Sequence, residues 1–145
     1  MKTIITLLGI TLLSSFAIAD DIADAKKAFT ILSEYQKTDD ERSPELFSKD
    51  CAVTFIFSDG TNEKATVIPI EAFIDSMQKA IAKKKGTKET YEDVKYLAET
   101  SGVRVTANVR YPKSGRKGPF SALYRRDDDG VLRIHDFKVT VYVNE

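Results

Sequence analysis

The chain has 145 residues, and its 22 basic side chains balance 22 acidic ones, so the formal net charge is zero at pH 7. This balance argues against a protein whose main partner is nucleic acid or an anionic membrane surface. The length suits one domain with its own hydrophobic core, and the single cysteine excludes an internal disulfide.

The first nineteen residues have the features of a secretory signal peptide. Lys2 precedes a largely apolar run from Ile4 to Ile18, and Ala17-Ile18-Ala19 forms a small-x-small cleavage site. The run is short for a membrane span, although an uncleaved N-terminal anchor is the alternative. We therefore predict a signal peptide over 1–19, a single domain over 20–145, a periplasmic or secreted location, and no membrane span after cleavage.

The mature chain begins with a predicted amphipathic helix from about Asp21 to Lys37. Its apolar residues recur at helical spacing, at Ile22, Ala25, Phe29, Leu32 and Tyr35. A polar break follows, and a short second helix is predicted with Ser43 as its N-cap and Pro44 in the first helical position.

The first strand is predicted from Cys51 to Phe57, and a weaker strand from Lys64 to Ile68 completes a hairpin. The lone Cys51 opens an apolar run, which favours a small buried hydrophobic residue. A nucleophile or an intermolecular disulfide is the alternative, but no partner residue supports either interpretation.

A third helix is predicted after Pro69, with one apolar stripe made of Ile70, Phe73, Ile74, Met77 and Ile81. Lysines at 83–85 crowd its last turn, where cations suit the negative end of the helix dipole. Gly86 is the predicted C-cap. A phosphate-binding patch is the alternative interpretation of the lysine run.

Four antiparallel strands are predicted between Thr87 and Val143, with turns at Ser101-Gly102, 112–119 and 127–130. A period of two marks one buried face, as in Val103, Val105, Ala107, Val109 and Tyr111. The last strand has His135, Phe137, Val139, Val141 and Val143 in one phase and Leu132, Ile134 and Tyr142 in the other. Because so long a strand must bend to stay on a small domain, we expect a curved sheet that the helices close.

Two local patterns resemble the nuclear transport factor 2-like superfamily, including its SnoaL-like and ketosteroid isomerase-like branches. Residues 44–53, PELFSKDCAV, are similar to the family's short helix followed by Asp-Asp-Ala-x-Val and strand one. Residues 129–137, DGVLRIHDF, are similar to its final Asp-Gly-x-Trp-Arg-Ile hairpin, with Leu132 in place of Trp. The resemblance implies an α+β fold: a curved antiparallel sheet of four to six strands wrapped around the N-terminal helices, as a cystatin-like cone with a pocket.

None of the catalytic residues of the ketosteroid isomerase-like branch is carried over to this chain. In the isomerase branch the catalytic base lies on strand one, and the corresponding position here is Phe55. No carboxylate lies between Cys51 and Phe57. His135, the only histidine, is a weak candidate for an acid or base, with a tyrosine as its partner. A buried or rim histidine with a structural role is the preferred interpretation.

We therefore predict a non-catalytic module that binds a small apolar ligand in the cone, or a partner protein across the sheet. The candidate ligand-binding residues are Phe55, Tyr96, Tyr124, His135 and Phe137. The alternative is an isomerase, dehydratase or cyclase with His135 as acid or base. The resemblance also implies a homodimer through the exposed sheet, with Leu132, Ile134 and Tyr142 at the contact. No metal site, cofactor or nucleic-acid partner is predicted.

Overall fold

Six strands form one mixed sheet, and two α-helices cover its concave face in the computed structural model, which describes residues 2–143 and the side chains from residue 18 onward. The helices are α1 (Lys2–Thr38) and α2 (Ile70–Ala82), with a short 3₁₀-helix at Ser43–Leu46. The strands are β1 (Phe47–Ser58), β2 (Glu63–Ile68), β3 (Thr90–Glu99), β4 (Gly102–Arg110), β5 (Lys117–Arg126) and β6 (Leu132–Tyr142). The predicted α+β cone is confirmed.

The strand order is β2-β1-β6-β5-β4-β3. The predicted meander is present, because β3, β4, β5 and β6 pair consecutively in antiparallel fashion. One pair departs from a fully antiparallel sheet, since β1 lies parallel to β6, with Val53 opposite Phe137. This parallel contact joins the N-terminal hairpin to the meander and makes the two parts one surface.

Helix α1 is longer than predicted, because it begins at Lys2 rather than near Asp21. The signal-peptide prediction covers residues 1–19. Residue 1 lies outside the described residues, and side chains are described only from residue 18. The signal peptide therefore stays a prediction. Further along, the predicted apolar stripe packs on the sheet and buries Ala25, Phe29 and Leu32. No helix in the described part of the chain is long and apolar enough to cross a membrane.

Helix α2 covers a hollow rather than a filled core. Its predicted apolar stripe packs against the core, but none of the helix's residues is fully buried. The predicted C-cap is wrong: Lys83 is the C-cap, and Lys84 takes the left-handed conformation with φ 49°. Gly86 instead lies against the end of α1, where a Cβ would stand 2.6 Å from the carbonyl oxygen of Lys37. Close backbone approach is therefore the reason for a glycine at this position.

A β-bulge in β6 changes which residues face the core. Tyr124 pairs with Ile134, whereas the residue before Tyr124 pairs with Asp136, so His135 is the inserted residue. Ile134 and Phe137 are both in the core, at 0% and 4% exposure. The predicted alternation, which put His135 in phase with Phe137 and Ile134 on the opposite face, is therefore wrong. A single inserted residue exchanges the two faces of a strand.

Candidate functional site

A cavity of about 430 Å³ lies between α2, the C-terminal part of α1 and the inner face of the sheet. Its volume falls within the range of roughly 300–1,000 Å³ that is usual for small-molecule pockets. Most of its wall is apolar or aromatic, and includes Leu32, Tyr35, Phe47, Phe55, Ile68, Phe73, Met77, Ile81, Phe137, Val139 and Val141. The cone is thus hollow at this end.

Four phenylalanine rings connect α2 to the sheet beside this cavity. The ring of Phe73 on α2 lies 5.1 Å from that of Phe47 and 5.9 Å from that of Phe55, measured between centroids. Its distance from the ring of Phe137 is 5.5 Å. Edge-to-face and tilted contacts of this kind are favourable. They hold α2 in place where the helix lacks fully buried residues.

Polar groups line one part of the cavity near the end of α1. The hydroxyl of Tyr91 donates to Oε1 of Gln36 at 2.7 Å, and the hydroxyl of Tyr111 donates to the backbone carbonyl of Thr140. Burial raises the pKa of Tyr91, the Gln36 hydrogen bond opposes this, and the nearby charge of Glu89 adds to the rise. Glu89 is half-buried and lines the same cavity. Hydroxyl and carboxylate groups therefore belong to the wall of a mainly apolar space.

The segment after α2 is tied to the end of α1 at the mouth of the cavity. The amide of Gly86 donates to Oδ2 of Asp39 at 2.5 Å. The amide of Thr87 donates to the carbonyl of Gln36 at 3.0 Å. Asp39 and the exposed Lys85 both line the cavity. Two hydrogen bonds from backbone amides, one to a side chain and one to a backbone carbonyl, thus fix the position of this rim.

The cavity contains two of the five predicted ligand-binding residues, Phe55 and Phe137. Tyr96 and Tyr124 lie elsewhere on the inner face of the sheet. The ring of Tyr96 packs edge-on against Phe29 at 6.4 Å, and Tyr124 is 2% exposed. These two tyrosines therefore contribute to the packed part of the core and not to the cavity wall.

His135 lies in a polar cluster at the β5–β6 hairpin, away from the cavity. Its Nδ1 lies 2.9 Å from the guanidinium of Arg125, which can only donate. Nε2 is 2.6 Å from Oδ1 of Asp127, a close contact that is not aligned as a hydrogen bond. Arg133 also contacts Asp127, at 2.9 Å. The expectation that His135 points into the cone with Phe137 is wrong, because the bulge turns it outward.

Sequence reasoning missed Gln36, Tyr91 and Glu89 as site residues. Gln36 and Tyr91 are 55 positions apart and belong to different elements. A strict period of two puts Tyr91 on the face opposite Tyr96. The irregularity of β3 between Glu92 and Lys95 instead brings both rings to the inner face, against Phe29. Which inner-face residues line the cavity and which are packed in the core depends on where α2 lies over the sheet.

Neither a metal centre nor a reactive thiol is found in the part of the chain that the structure describes. Within it, no group of three or more His, Cys, Asp or Glu residues could hold a metal ion. Cys51 is 5% exposed. Burial, and then the charge of Asp136, raises the pKa of its thiol to about 12. The thiol therefore stays protonated at neutral pH and lacks the character of a nucleophile.

The hydroxyl of Tyr124 is buried with no hydrogen-bond partner among the described residues. Burial also raises the pKa of this phenol. Removing an unsatisfied buried hydroxyl while keeping the ring relieves a desolvation cost. We expect Tyr124→Phe to raise the free energy of unfolding by about 1 kcal/mol, measured by urea denaturation.

Tyr111→Phe is the matched control for this prediction. It makes the same chemical change at a buried ring, but the lost hydroxyl donates to the carbonyl of Thr140. We expect it to lower the free energy of unfolding by about 1 kcal/mol. Equal destabilisation by the two variants would show that the Tyr124 hydroxyl is satisfied in solution.

Solved nuclear transport factor 2-like structures have the same fold. A proposed dehydratase of that family from Streptomyces avermitilis is 15% identical, with 86% of this chain and 98% of that chain covered and a TM-score of 0.59. A nuclear transport factor 2-like protein of unknown function from Pseudomonas putida KT2440 is 9% identical, with 84% and 87% covered and a TM-score of 0.62. A proposed ketosteroid isomerase from Parabacteroides distasonis ATCC 8503 is 16% identical, with 80% and 85% covered and a TM-score of 0.52.

These comparisons confirm the predicted nuclear transport factor 2-like fold. No protein-family model and no curated protein matches the sequence. Identities of this size establish the fold alone, and the same fold supports many unrelated activities. The feature of this chain that bears on its function is therefore the cavity itself.

Proposed function

We propose that this protein is a non-catalytic binding module that holds a small, largely apolar ligand in the cavity beneath α2. The observation that carries the proposal is the hollow of about 430 Å³ with a mainly apolar wall. Leaving the apolar stripe of α2 only partly covered forgoes roughly 25 cal/mol for each Å² of apolar surface that stays exposed. A ligand of apolar character would cover that surface. Phe55 and Phe137 belong to this site, and His135 does not.

Val139→Phe should weaken binding of the neutral fluorescent dye N-phenylnaphthylamine by about tenfold or more, equivalent to about 1.4 kcal/mol. Val139 is a half-buried residue of β6 in the cavity wall, so the added ring would occupy space that the dye needs. Fluorescence titration of the dye measures the affinity. Circular dichroism of the variant shows whether the fold is retained.

Val67→Phe is the matched control for the dye experiment. Val67 lies on β2, is 75% exposed and is not part of the cavity wall. The dye should bind this variant as it binds the unchanged protein. If Val139→Phe and Val67→Phe bound the dye equally well, the cavity would be excluded as the dye's site.

An enzyme of the isomerase, dehydratase or cyclase kind is the second candidate function. It is favoured by one observation: the half-buried Glu89 lines the cavity together with Tyr91 and Tyr111. A positioned carboxylate can act as general acid or base. The sequence-based version of this hypothesis gave that role to His135; for the cavity we propose Glu89 instead, because it lines the cavity wall and His135 does not.

Exchange of the α-protons of a cavity-bound ketone into deuterated water, followed by NMR, separates the two functions. The binding module predicts no acceleration of this exchange over solvent. Acceleration that is lost in Glu89→Gln and kept in His135→Ala would establish the enzyme. Acceleration that is lost in His135→Ala would instead support His135 as the acid or base, as the sequence-based hypothesis proposed.

A homodimer through the outer face of the sheet is a separate part of the proposal. It is supported by Leu97, which is 63% exposed on β3. Two of the residues first expected at the contact do not support it, because Ile134 is in the core and the Tyr142 hydroxyl donates to the carbonyl of Lys117 at 2.8 Å. Size-exclusion chromatography with light scattering on residues 20–145 tests the dimer, and a monomer would contradict it.

Export to the periplasm or the exterior is also part of the proposal. Cleavage after Ala19 would leave the buried residues of α1 in the mature protein. Ala25, Phe29 and Leu32 lie after the cleavage site, whereas Ile18, which would be removed, is 48% exposed. Expression of the full chain in a bacterial host, with intact-mass analysis of the periplasmic fraction, should give a protein that begins at Asp20. A full-length chain in the membrane fraction would contradict cleavage.

A further inference from the structure

Two carboxylates stand at the rim of the cavity. Asp39, just after α1, is half-buried and held in place by the amide of Gly86. Glu89, just before β3, lies near enough to Tyr91 for its negative charge to contribute to the raised pKa of that phenol. Both residues line the cavity wall. An occupant of the cavity would therefore meet two acidic groups on its polar side.

The C-terminal ends of both α-helices lie at the same place. Tyr35 and Gln36 come from the last turns of α1, and Ala80 and Ile81 from the last turn of α2, and all four line the cavity. A helix C-terminus carries the equivalent of roughly half a negative charge. The two helices therefore add to the negative potential of the carboxylates.

Aromatic rings in the wall also favour positive charge. The faces of tyrosine and phenylalanine rings attract cations that approach within about 6 Å. Tyr35 already shows such a contact, with the guanidinium of Arg42 centred 4.7 Å from its ring. Tyr35 and Tyr91 both line the cavity beside the acidic rim. Carboxylates, helix ends and rings thus act in the same direction.

Among the residues that the structure describes, Lys85 is the one basic residue in the cavity wall, and its charge opposes this potential. Its side chain is exposed, so water and salt screen its charge. Asp39, by contrast, is half-buried and hydrogen-bonded. We infer that the ligand of this cavity is an amine with an apolar body, whose ammonium group lies between Asp39 and Glu89. This inference rests on the binding function proposed above.

Three probes that share one skeleton test the charge preference: phenylhexylamine, phenylhexanol and phenylhexanoate. At neutral pH they are cationic, neutral and anionic. Their affinities are measured by displacement of N-phenylnaphthylamine and by calorimetry. We expect the amine to bind about tenfold more tightly than the alcohol, and the carboxylate to bind more weakly than the alcohol.

Glu89→Gln should remove most of the amine's advantage and leave the affinity for the alcohol unchanged. Glu34→Gln makes the same change at an exposed position of α1 outside the cavity wall, and should have no effect. Lys85→Gln removes an exposed charge and should raise the affinity for the amine. Lys85→Gln keeps the inference testable if Glu89→Gln does not fold.

Equal affinities for the three probes would overturn the inference, as would failure of all three to displace the dye. Tightest binding by phenylhexanoate, weakened in Lys85→Gln, would replace the amine with an anionic ligand. In each of these cases dye binding that depends on Val139 would still support the cavity as a ligand site. Absence of dye binding would instead remove the binding function itself.

Discussion

Phe137→Ala should lower the free energy of unfolding by about 3–5 kcal/mol, the usual cost of removing a buried phenylalanine ring. Phe137 is 4% exposed on β6, and its ring contacts those of Phe47, Phe73 and Phe120 at centroid distances of 5.4, 5.5 and 5.4 Å. The ring borders the cavity, so few neighbouring side chains can move into the space that its removal would leave. Urea denaturation followed by circular dichroism measures the change.

Leu97→Ala is the control for this large effect. Leu97 is also an apolar strand residue, but it is 63% exposed on β3. Its truncation should change the free energy of unfolding by less than about 0.5 kcal/mol. A comparable loss in both variants would mean that the ring cluster around Phe137 does not carry the packing of the cone.

Gly102→Ala should cost about 3 kcal/mol or more, because it combines backbone strain with a backbone clash. Gly102 follows the β3–β4 turn with φ 145°. A Cβ at this position would lie 2.2 Å from the carbonyl oxygen of Tyr124 on the neighbouring strand. That oxygen belongs to the β4–β5 ladder and cannot move by itself. Thermal and urea unfolding of the variant measure the loss.

Gly115→Ala separates the clash from the strain. Gly115 also has a positive φ, of 71°, but a Cβ there meets nothing within 4 Å. The substitution should therefore lower the free energy of unfolding by only about 1–2 kcal/mol, the cost of placing a residue with a Cβ in the left-handed conformation. Similar losses in the two variants would show that the strand neighbouring Gly102 adjusts at little cost.

Local patterns were sufficient for the strands of the meander. The residues Val103, Val105, Ala107, Val109 and Tyr111 are all buried, as the period of two predicted. Such a pattern depends only on residues a few positions apart, so it can be recognised without knowledge of the partner strands. The apolar stripe of α1 was predictable for the same reason, and so was the turn at Gly130, where φ is 78°.

Local patterns did not predict features that depend on how two distant segments of the chain pack against each other. The bulge at His135 appears only in the register between β5 and β6, and the parallel pairing of β1 with β6 joins segments far apart in the sequence. The place of Gly86 against the carbonyl oxygen of Lys37, rather than at the C-cap of α2, depends on where the end of α1 lies. Each of these features is set by a neighbour that the local sequence does not contain.

By itself the sequence determined the order of helices and strands, the buried face of most of them, and the absence of a carboxylate between Cys51 and Phe57. These properties follow from residue type and spacing along one segment. Only the tertiary structure decided that the cone is hollow beneath α2, that Gln36, Tyr91 and Glu89 meet there, and that His135 does not. The physical reason is that a cavity is a space between segments, and its size and lining depend on how far apart the packed elements lie.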